Sequence, residues 1–300
     1  MKTEVIRMKI FITGGTGFIG RNLKEQLSNK YEIHAPKSSE LDLLDEEKVH
    51  EYLNMHAFDI VIHAATWNAT RNSPKDLTKV LPNNLRMFFN LARCNKYFGR
   101  MIYYGSGAEY DRGHWIPKMK EDYFDTHVPA GDYGFSKYIM AKYAEQSHNI
   151  YNLRLFGVFG KYEDWQIRFI SNACCKAVWD LPITIKQNVF IDYLYVDDLV
   201  KITEWFIRNK PKEKVCNICT GRTYDLLTVA KKVLNASGKK LEIIIYQEGF
   251  GKEYSGDNSK MLQEIGGFSF QEIDDSLHEL YHWYLTHKEH ITLEKLIVDK

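Results

Sequence analysis

Tyr133 and Lys137 stand four positions apart in the run YGFSK. On a helix that spacing puts both side chains on one face. A neighbouring ammonium favours the ionised phenol, so such a tyrosine can give or take a proton at a carbonyl or hydroxyl oxygen. Combined with a nicotinamide, which moves a hydride, the pair would serve a redox reaction. The spacing alone is weak evidence, because it recurs at Tyr138/Lys142 and Tyr284/Lys288. Only Tyr133 opens a helical stretch, after the turn-like run PAGD at 129–132. Ser106 follows the strand-like run RMIYYG at 100–105. Open α/β sheets bind ligands off the carboxyl ends of their strands, which places Ser106 to hydrogen-bond the same reacting oxygen.

A second group of residues suits phosphate. In Gly14-Gly15-Thr16-Gly17-Phe18-Ile19-Gly20 the glycines at 15, 17 and 20 fit G-x-G-x-x-G. A strand-like run precedes it and a helical run follows, the context in which such a turn holds a dinucleotide pyrophosphate at a helix N-terminus. NAD recognition usually takes an acidic residue at the end of the second strand. That stretch reads His34-Ala35-Pro36-Lys37-Ser38-Ser39, with no carboxylate before Glu40. Lys37 and Ser38 suit a 2′-phosphate better, so NADP(H) is favoured, with NAD(H) possible.

Positioning these groups requires alternating elements. Strand-like runs at 8–13, 31–35, 59–65, 100–105 and 150–156 are separated by helical runs that include 85–94 and 133–147. Alternation of this kind means βαβ units and a parallel sheet. The fold class read from the sequence is therefore α/β, a doubly wound Rossmann sheet with a small C-terminal α/β lobe. Residues 8–156, with 190–222 returning, are expected to form the NAD(P)-binding domain. Residues 157–189 and 223–300 are expected to form a substrate-binding lobe.

Composition removes other classes. Among 300 residues, 44% are hydrophobic and 26% charged, which excludes disorder and coiled coil. Forty Lys+Arg against thirty-nine Asp+Glu leave a net charge of +1, so no global field would gather nucleic acid or an anionic membrane. No apolar run approaches the roughly 20 residues of a membrane span. The N-terminus carries Lys2, Glu4, Arg7 and Lys9 and has no signal-peptide core. Five cysteines are too few for a disulfide scaffold. The expectation is a cytoplasmic protein with neither a nucleic-acid nor a membrane partner.

Taken together, GGTGFIG (14–20), LDLLD (41–45), HAA (63–65), YGSGAEY (104–110), YGFSK (133–137), RLFGVFG (154–160) and DYLYVDDL (192–199) resemble the extended short-chain dehydrogenase/reductase family of nucleotide-sugar epimerases, dehydratases and reductases, in order and spacing across nearly the whole chain. The resemblance implies about seven Rossmann strands, a catalytic triad of Ser106, Tyr133 and Lys137, and a nucleotide-sugar substrate. It implies an adenine-side aspartate at Asp42 beside Leu43, a cofactor loop at Ala64, Ala65 and Thr66, and a structural asparagine at Asn83. It also implies a homodimer through helices near 84–98 and 132–148, with Phe88, Phe89, Tyr138 and Tyr143 as candidates either for that surface or for packing on the sheet.

Departures from the family's pattern narrow the reaction. Its dehydratases place an Asp-Glu pair after the triad Ser or Thr, where this chain has Gly107 and Ala108. The Cys and His of its double epimerases correspond to Ala108 and about Gln166. Closest in type are the 4-ketoreductases, which reduce a nucleotide-linked 4-keto-6-deoxy sugar in polysaccharide biosynthesis. A 4-epimerase with tightly bound NAD and a non-catalytic NADP-binding protein are the alternatives. The arginine that often meets the diphosphate is replaced by Ile191, leaving Arg168, Lys186, Gln187 and Arg222 as candidates.

No metal is expected. His278-Glu279-Leu280-Tyr281-His282 matches H-E-x-x-H but has no third ligand at a suitable offset, and Leu277, Leu280, Tyr281 and Tyr284 explain the helix as packing. Cys216 and Cys219 fall on a predicted strand, where i and i+3 point to opposite faces. Cys174 and Cys175 read as buried thiols. Asp197-Asp198 reads as a helix N-cap, and His63 as a satisfied core histidine.

Overall fold

The computed structural model describes residues 7–68 and 75–297; Lys2 and Glu4 lie outside them. The chain divides into two compact units. The first comprises the described residues up to His114, Glu121–Leu155 and Thr203–Asn217, and the second comprises Trp115–Lys120, Phe156–Ile202 and Ile218 onward. The returning segment of the first unit begins at Thr203.

In the first unit, short apolar runs bounded by turns become the strands β1 (Lys9–Thr13), β2 (Glu32–His34), β3 (Phe58–His63), β4 (Phe98–Ser106) and β5 (Ile150–Leu155). Between them lie the helices α1 (Phe18–Leu27), α2 (Glu46–His56), α3 (Val80–Ala92) and α4 (Asp132–Gln146). The sheet order is β2-β1-β3-β4-β5, with the strand Val215–Ile218 next to β5. β1 pairs in parallel with β2 and β3, and β3–β4 and β4–β5 are also parallel. All six residues of β5 are buried, as a central parallel strand requires. Leu41, Leu43, Leu53, Phe58, Phe88, Leu91 and Met101 belong to one core cluster.

The main sheet has six strands and not seven. The segment beyond the edge strand β2 folds into turns: the Leu44 N–H donates to Asp42 Oδ1 (3.0 Å), and the Asp45 N–H to Asp42 O (3.1 Å). Asp45 then caps α2, accepting the Lys48 N–H at 3.1 Å. Short acidic side chains bind nearby backbone N–H groups and so compete with a strand ladder. Leu41 and Leu43 still reach the core. Of the two roles open to Phe88, the structure shows packing: it is fully buried and stands edge-on to Tyr103.

In the second unit, Phe190–Tyr195 pairs antiparallel with Thr223–Asp225 and parallel with Gly157–Phe159. Ile183–Asn188 pairs in parallel with Ile243–Phe250. The helices Phe169–Val178, Leu226–Ser237 and Ile273–Thr286 pack against one another. Leu277, Leu280, Tyr281 and Tyr284 form the buried stripe of the last. Asp198 lies in the first turn of Val196–Arg208 and does not cap it; its buried carboxylate accepts the Gln271 N–H (2.7 Å) and faces Lys201 (2.9 Å). Among the described residues no helix is long and apolar enough to cross a membrane.

Glu163 is buried in this unit and accepts Ser171 Oγ–H at 2.5 Å. Burial pushes its carboxyl up to about 8. The folded chain therefore keeps a proton that the unfolded chain releases near pH 4.5, and the stability this contributes is lost as pH rises through about 8. Glu163→Gln is expected to leave urea unfolding nearly unchanged at pH 5 and to raise unfolding free energy at pH 9 by roughly 3–5 kcal/mol. Equal effects at both pH values would contradict this.

Candidate active site

The glycine turn is built by close backbone approach. Gly14 has φ +68°, and a Cβ there would stand 2.9 Å from the Ala65 backbone. A Cβ on Gly20 would lie 2.2 Å from Gly14 O, and one on Gly15 would lie 2.6 Å from Ala35 Cβ. Around Gly17 only Gly14 O stands within 4 Å, at 3.3 Å. α1 begins there with no side-chain cap and no acid in its first turn. Its N–H groups and the positive end of its dipole suit an anion. These features fit a dinucleotide pyrophosphate.

A network fastens the far side of this turn. The Ala65 N–H donates to Thr13 Oγ1 (3.1 Å), which lies 2.9 Å from His63 Nδ1. His63 is buried, and burial lowers its pKa to about 3, so the ring is neutral at pH 7. Asn84 secures the next residues. Asn84 Oδ1 accepts the Trp67 N–H (2.7 Å) and Thr66 Oγ1–H (3.2 Å), and Nδ2 donates to Trp67 O (3.3 Å). Asn84 is buried and Asn83 half-buried, since successive helix positions point about 100° apart.

After β2, Lys37 and Ser38 are exposed, and the Lys37 N–H donates to Glu40 Oε2 (2.7 Å). Asp42 is exposed at its turn, while the Leu43 side chain points into the core and its carbonyl accepts Asn90 Nδ2 (2.9 Å).

The three candidate catalytic residues come from β4 and α4. Ser106 ends β4, and α4 packs on the turn Gly107–Glu109. The contact is close: a Cβ on Gly134 would meet Ala108 O at 2.7 Å. Ser106 Oγ accepts the Ala108 N–H (3.1 Å), a bond that leaves the hydroxyl hydrogen for another acceptor. Tyr133 is 37% exposed, so a substrate can reach it. Lys137 is buried and donates to Tyr104 O at 2.8 Å. Its Nζ lies 4.8 Å from the Tyr103 ring centre and 5.9 Å from that of Tyr133. Burial lowers the Lys137 pKa to about 8, with Glu109 opposing.

The competing Tyr-Lys pairs have other roles. Tyr138 donates to Asp125, which Lys142 also meets at 2.7 Å. Tyr284 is buried in the helix Ile273–Thr286. His278 and His282 bring their Nε2 atoms to 3.2 Å, yet among the described residues no group of three or more metal-ligating side chains converges. All five cysteines are buried and none forms a disulfide.

The four candidate substrate residues lie in the second unit and are not gathered on one element. Arg168 precedes the helix Phe169–Val178, and Lys186 and Gln187 lie on Ile183–Asn188. Gln187 Nε2 donates to Glu248 O (3.4 Å). Arg222 pairs with Glu272 (3.0 Å) and borders a small cleft lined by Phe159, Tyr193, Tyr195, Tyr224 and Phe270.

A model of the NAD dependent epimerase/dehydratase family matches residues 10–219. The chain belongs to that family. Family membership makes it an NAD(P)-dependent enzyme of the epimerase and oxidoreductase type. GDP-L-colitose synthase of Yersinia pseudotuberculosis is 25% identical, with 94% of this chain and 99% of that protein covered. UDP-glucose 4-epimerase from Thermotoga maritima, solved with UDP-glucose, superposes with a TM-score of 0.81 at 21% identity, covering 94% of this chain and 100% of that one. A GDP-mannoheptose C4 reductase from Campylobacter jejuni, solved with NADP, gives 0.80 at 21% identity, covering 93% and 98%.

Two residues of the site escaped the sequence reading. Glu109 and Arg154 are both fully buried and meet at 2.5 Å behind Ser106. Ser106-Gly-Ala-Glu109 is an S-x-x-E capping box, a pattern visible in sequence.

Proposed function

We propose that the chain reduces the 4-keto group of a nucleotide-linked 4-keto-6-deoxyhexose with NADPH. The observation that carries this is a Ser106–Tyr133–Lys137 corner in which the flanking Gly107 and Ala108 can neither give nor take a proton. Elimination or C3/C5 epimerisation needs such a group; carbonyl reduction needs only the corner and the cofactor. When bound, the cofactor supplies hydride to C4. Tyr133 Oη gives its proton to the C4 oxygen, so the C=O becomes CH–OH. Ser106 Oγ donates a hydrogen bond to that oxygen and holds it. The Lys137 ammonium stabilises the phenolate left on Tyr133 and would bind the nicotinamide ribose. Arg168, Lys186, Gln187 and Arg222 remain the candidates for the nucleotide.

The test is NADPH and NADH oxidation against dTDP-, CDP-, GDP- and UDP-4-keto-6-deoxyhexoses. Oxidation with one of them supports the reading. Silence across the panel with cofactor binding intact overturns it in favour of an epimerase that recycles bound NAD. Lys37→Ala is expected to weaken NADPH binding about tenfold, the worth of one charge-assisted contact, and to leave NADH binding unchanged. Equal losses for both cofactors would remove Lys37 from the 2′-phosphate site.

A further inference from the structure

Behind Ser106 lies a buried polar hub that the proton transfer does not use. Glu109 Oε1 accepts the Ser106 N–H at 3.0 Å. Glu109 Oε2 accepts Arg154 Nε at 2.5 Å and Asn152 Nδ2 at 3.0 Å. Arg154 Nη1 donates to Tyr110 Oη (2.7 Å), which donates to Asn217 Oδ1 (3.0 Å). Asn152 and Arg154 are two apart on β5 and share a face, opposite Tyr103 and Gly105 of β4. A Cβ on Gly105 would stand 2.0 Å from Glu109 Oε1 and 2.1 Å from Asn152 Oδ1. Glycine there lets the carboxylate lie against the strand that carries Ser106.

A buried ion pair is weak evidence for stability, because desolvation offsets most of the attraction. Its position needs another reason. Lys137 is a buried ammonium, and the groups facing it are His63 of β3, Tyr103 and Tyr104 of β4, and Tyr133 on its own helix. His63 is neutral at pH 7, and Tyr103 and Tyr104 are held as phenols by burial. Among the described residues Glu109 is the one carboxylate acting on Lys137. It is also tied to the Ser106 backbone, so one side chain links two members of the corner.

We propose that Glu109, held by Arg154, is a positioning residue: its carboxylate fixes the Ser106 turn and supplies the buried counter-charge of the Lys137 ammonium. The proposal rests on the catalytic roles assigned above to Ser106, Tyr133 and Lys137.

The test compares the full-length wild-type enzyme with four variants. Glu109→Gln alone leaves Arg154 buried without its partner and is expected to fold poorly. Glu109→Gln/Arg154→Met removes both charges while keeping an acceptor for the Ser106 N–H. Glu109→Asp keeps the charge. Tyr133→Phe reports on the corner itself. Turnover and NADPH affinity are measured from pH 6 to 10, with melting temperature alongside. In wild type both are expected to fall above about pH 8. In the double variant the fall is expected to begin roughly one pH unit lower, since the favourable charge is gone, and Glu109→Asp is expected to restore the wild-type limb. Alkaline limbs that superimpose on wild type in the double variant, with Tyr133→Phe inactive, would overturn the proposal and leave Glu109 a purely structural residue, even if the melting temperature changed. An active Tyr133→Phe would instead remove the catalytic reading, and this proposal with it.

Discussion

Tyr133→Phe is expected to lower kcat by about 10²–10⁴-fold, the usual worth of a positioned proton donor, with cofactor affinity within about threefold of wild type. Phenylalanine keeps the ring that lies 5.9 Å from Lys137 Nζ and removes only the hydroxyl. The fold should not notice, because Tyr133 is exposed at the start of α4. Tyr138→Phe is the matched control. It shares the i, i+4 lysine, but its hydroxyl is spent on Asp125, and turnover should change less than about twofold. Stopped-flow NADPH oxidation on the substrate found in the panel measures both. Equal losses from the two substitutions would remove Tyr133 from the reaction.

The second large effect is expected at the glycine turn, where two alanines should separate folding from binding. An alanine Cβ at Gly20 would lie 2.2 Å from Gly14 O and 2.7 Å from Gly14 C. Neither atom can move without opening the turn that joins β1 to α1. Gly20→Ala is therefore expected to cost about 1–3 kcal/mol of stability, as overpacking does, and to abolish measurable NADPH binding. At Gly17 an alanine Cβ meets only Gly14 O, at 3.3 Å. Gly17→Ala makes a milder contact and should lose less stability than Gly20→Ala, yet lose NADPH affinity by about 100-fold or more, because its methyl fills the space assigned to pyrophosphate. Tight NADPH binding by Gly17→Ala would move the phosphate site elsewhere.

Neutral His63 supports this region only above its titration range. Its pKa is about 3 in the fold against 6.5 in an unfolded chain, so the stability it contributes is present above pH 6.5 and is lost as pH falls toward 3. The Thr13–His63 bond, and through it the Ala65 loop, is the part of the cofactor face that acid should loosen first.

Local order was legible in the sequence because its causes are local. Glycines at 15, 17 and 20, an apolar run before them and a helical period after them define a strand, turn and helix without reference to the rest of the chain. Alternation of such units implies a parallel sheet, and the short interval from YYGS to YGFSK implies that Ser106 and Tyr133 come from neighbouring elements. The choice among three Tyr-Lys pairs also followed from position along the chain, since only Tyr133 opens its helix beside a strand end. In the structure Tyr133 lies in the first turn of α4, Tyr138 donates to Asp125 and Tyr284 is buried.

What the sequence left open depends on partners distant along the chain. The resemblance implies about seven strands, but Asp42 and Asp45 hold the LDLLD segment in turns, and the main sheet has six. Asn83 and Asn84 are adjacent letters; only the packing of α3 decides that Asn84 reaches Trp67. Phe88 could have served a surface or a core until Tyr103 was placed against it. Glu109 and Arg154 are 45 residues apart, and their charges carry no sign in the sequence that they will meet without water. The sequence by itself determined the glycine turn, the αβ order and the residues able to move a proton, because backbone propensity and side-chain period act over a few residues. Tertiary structure decided which charges are buried together, because desolvation and hydrogen bonding are settled only when β4, β5 and α4 close on one another.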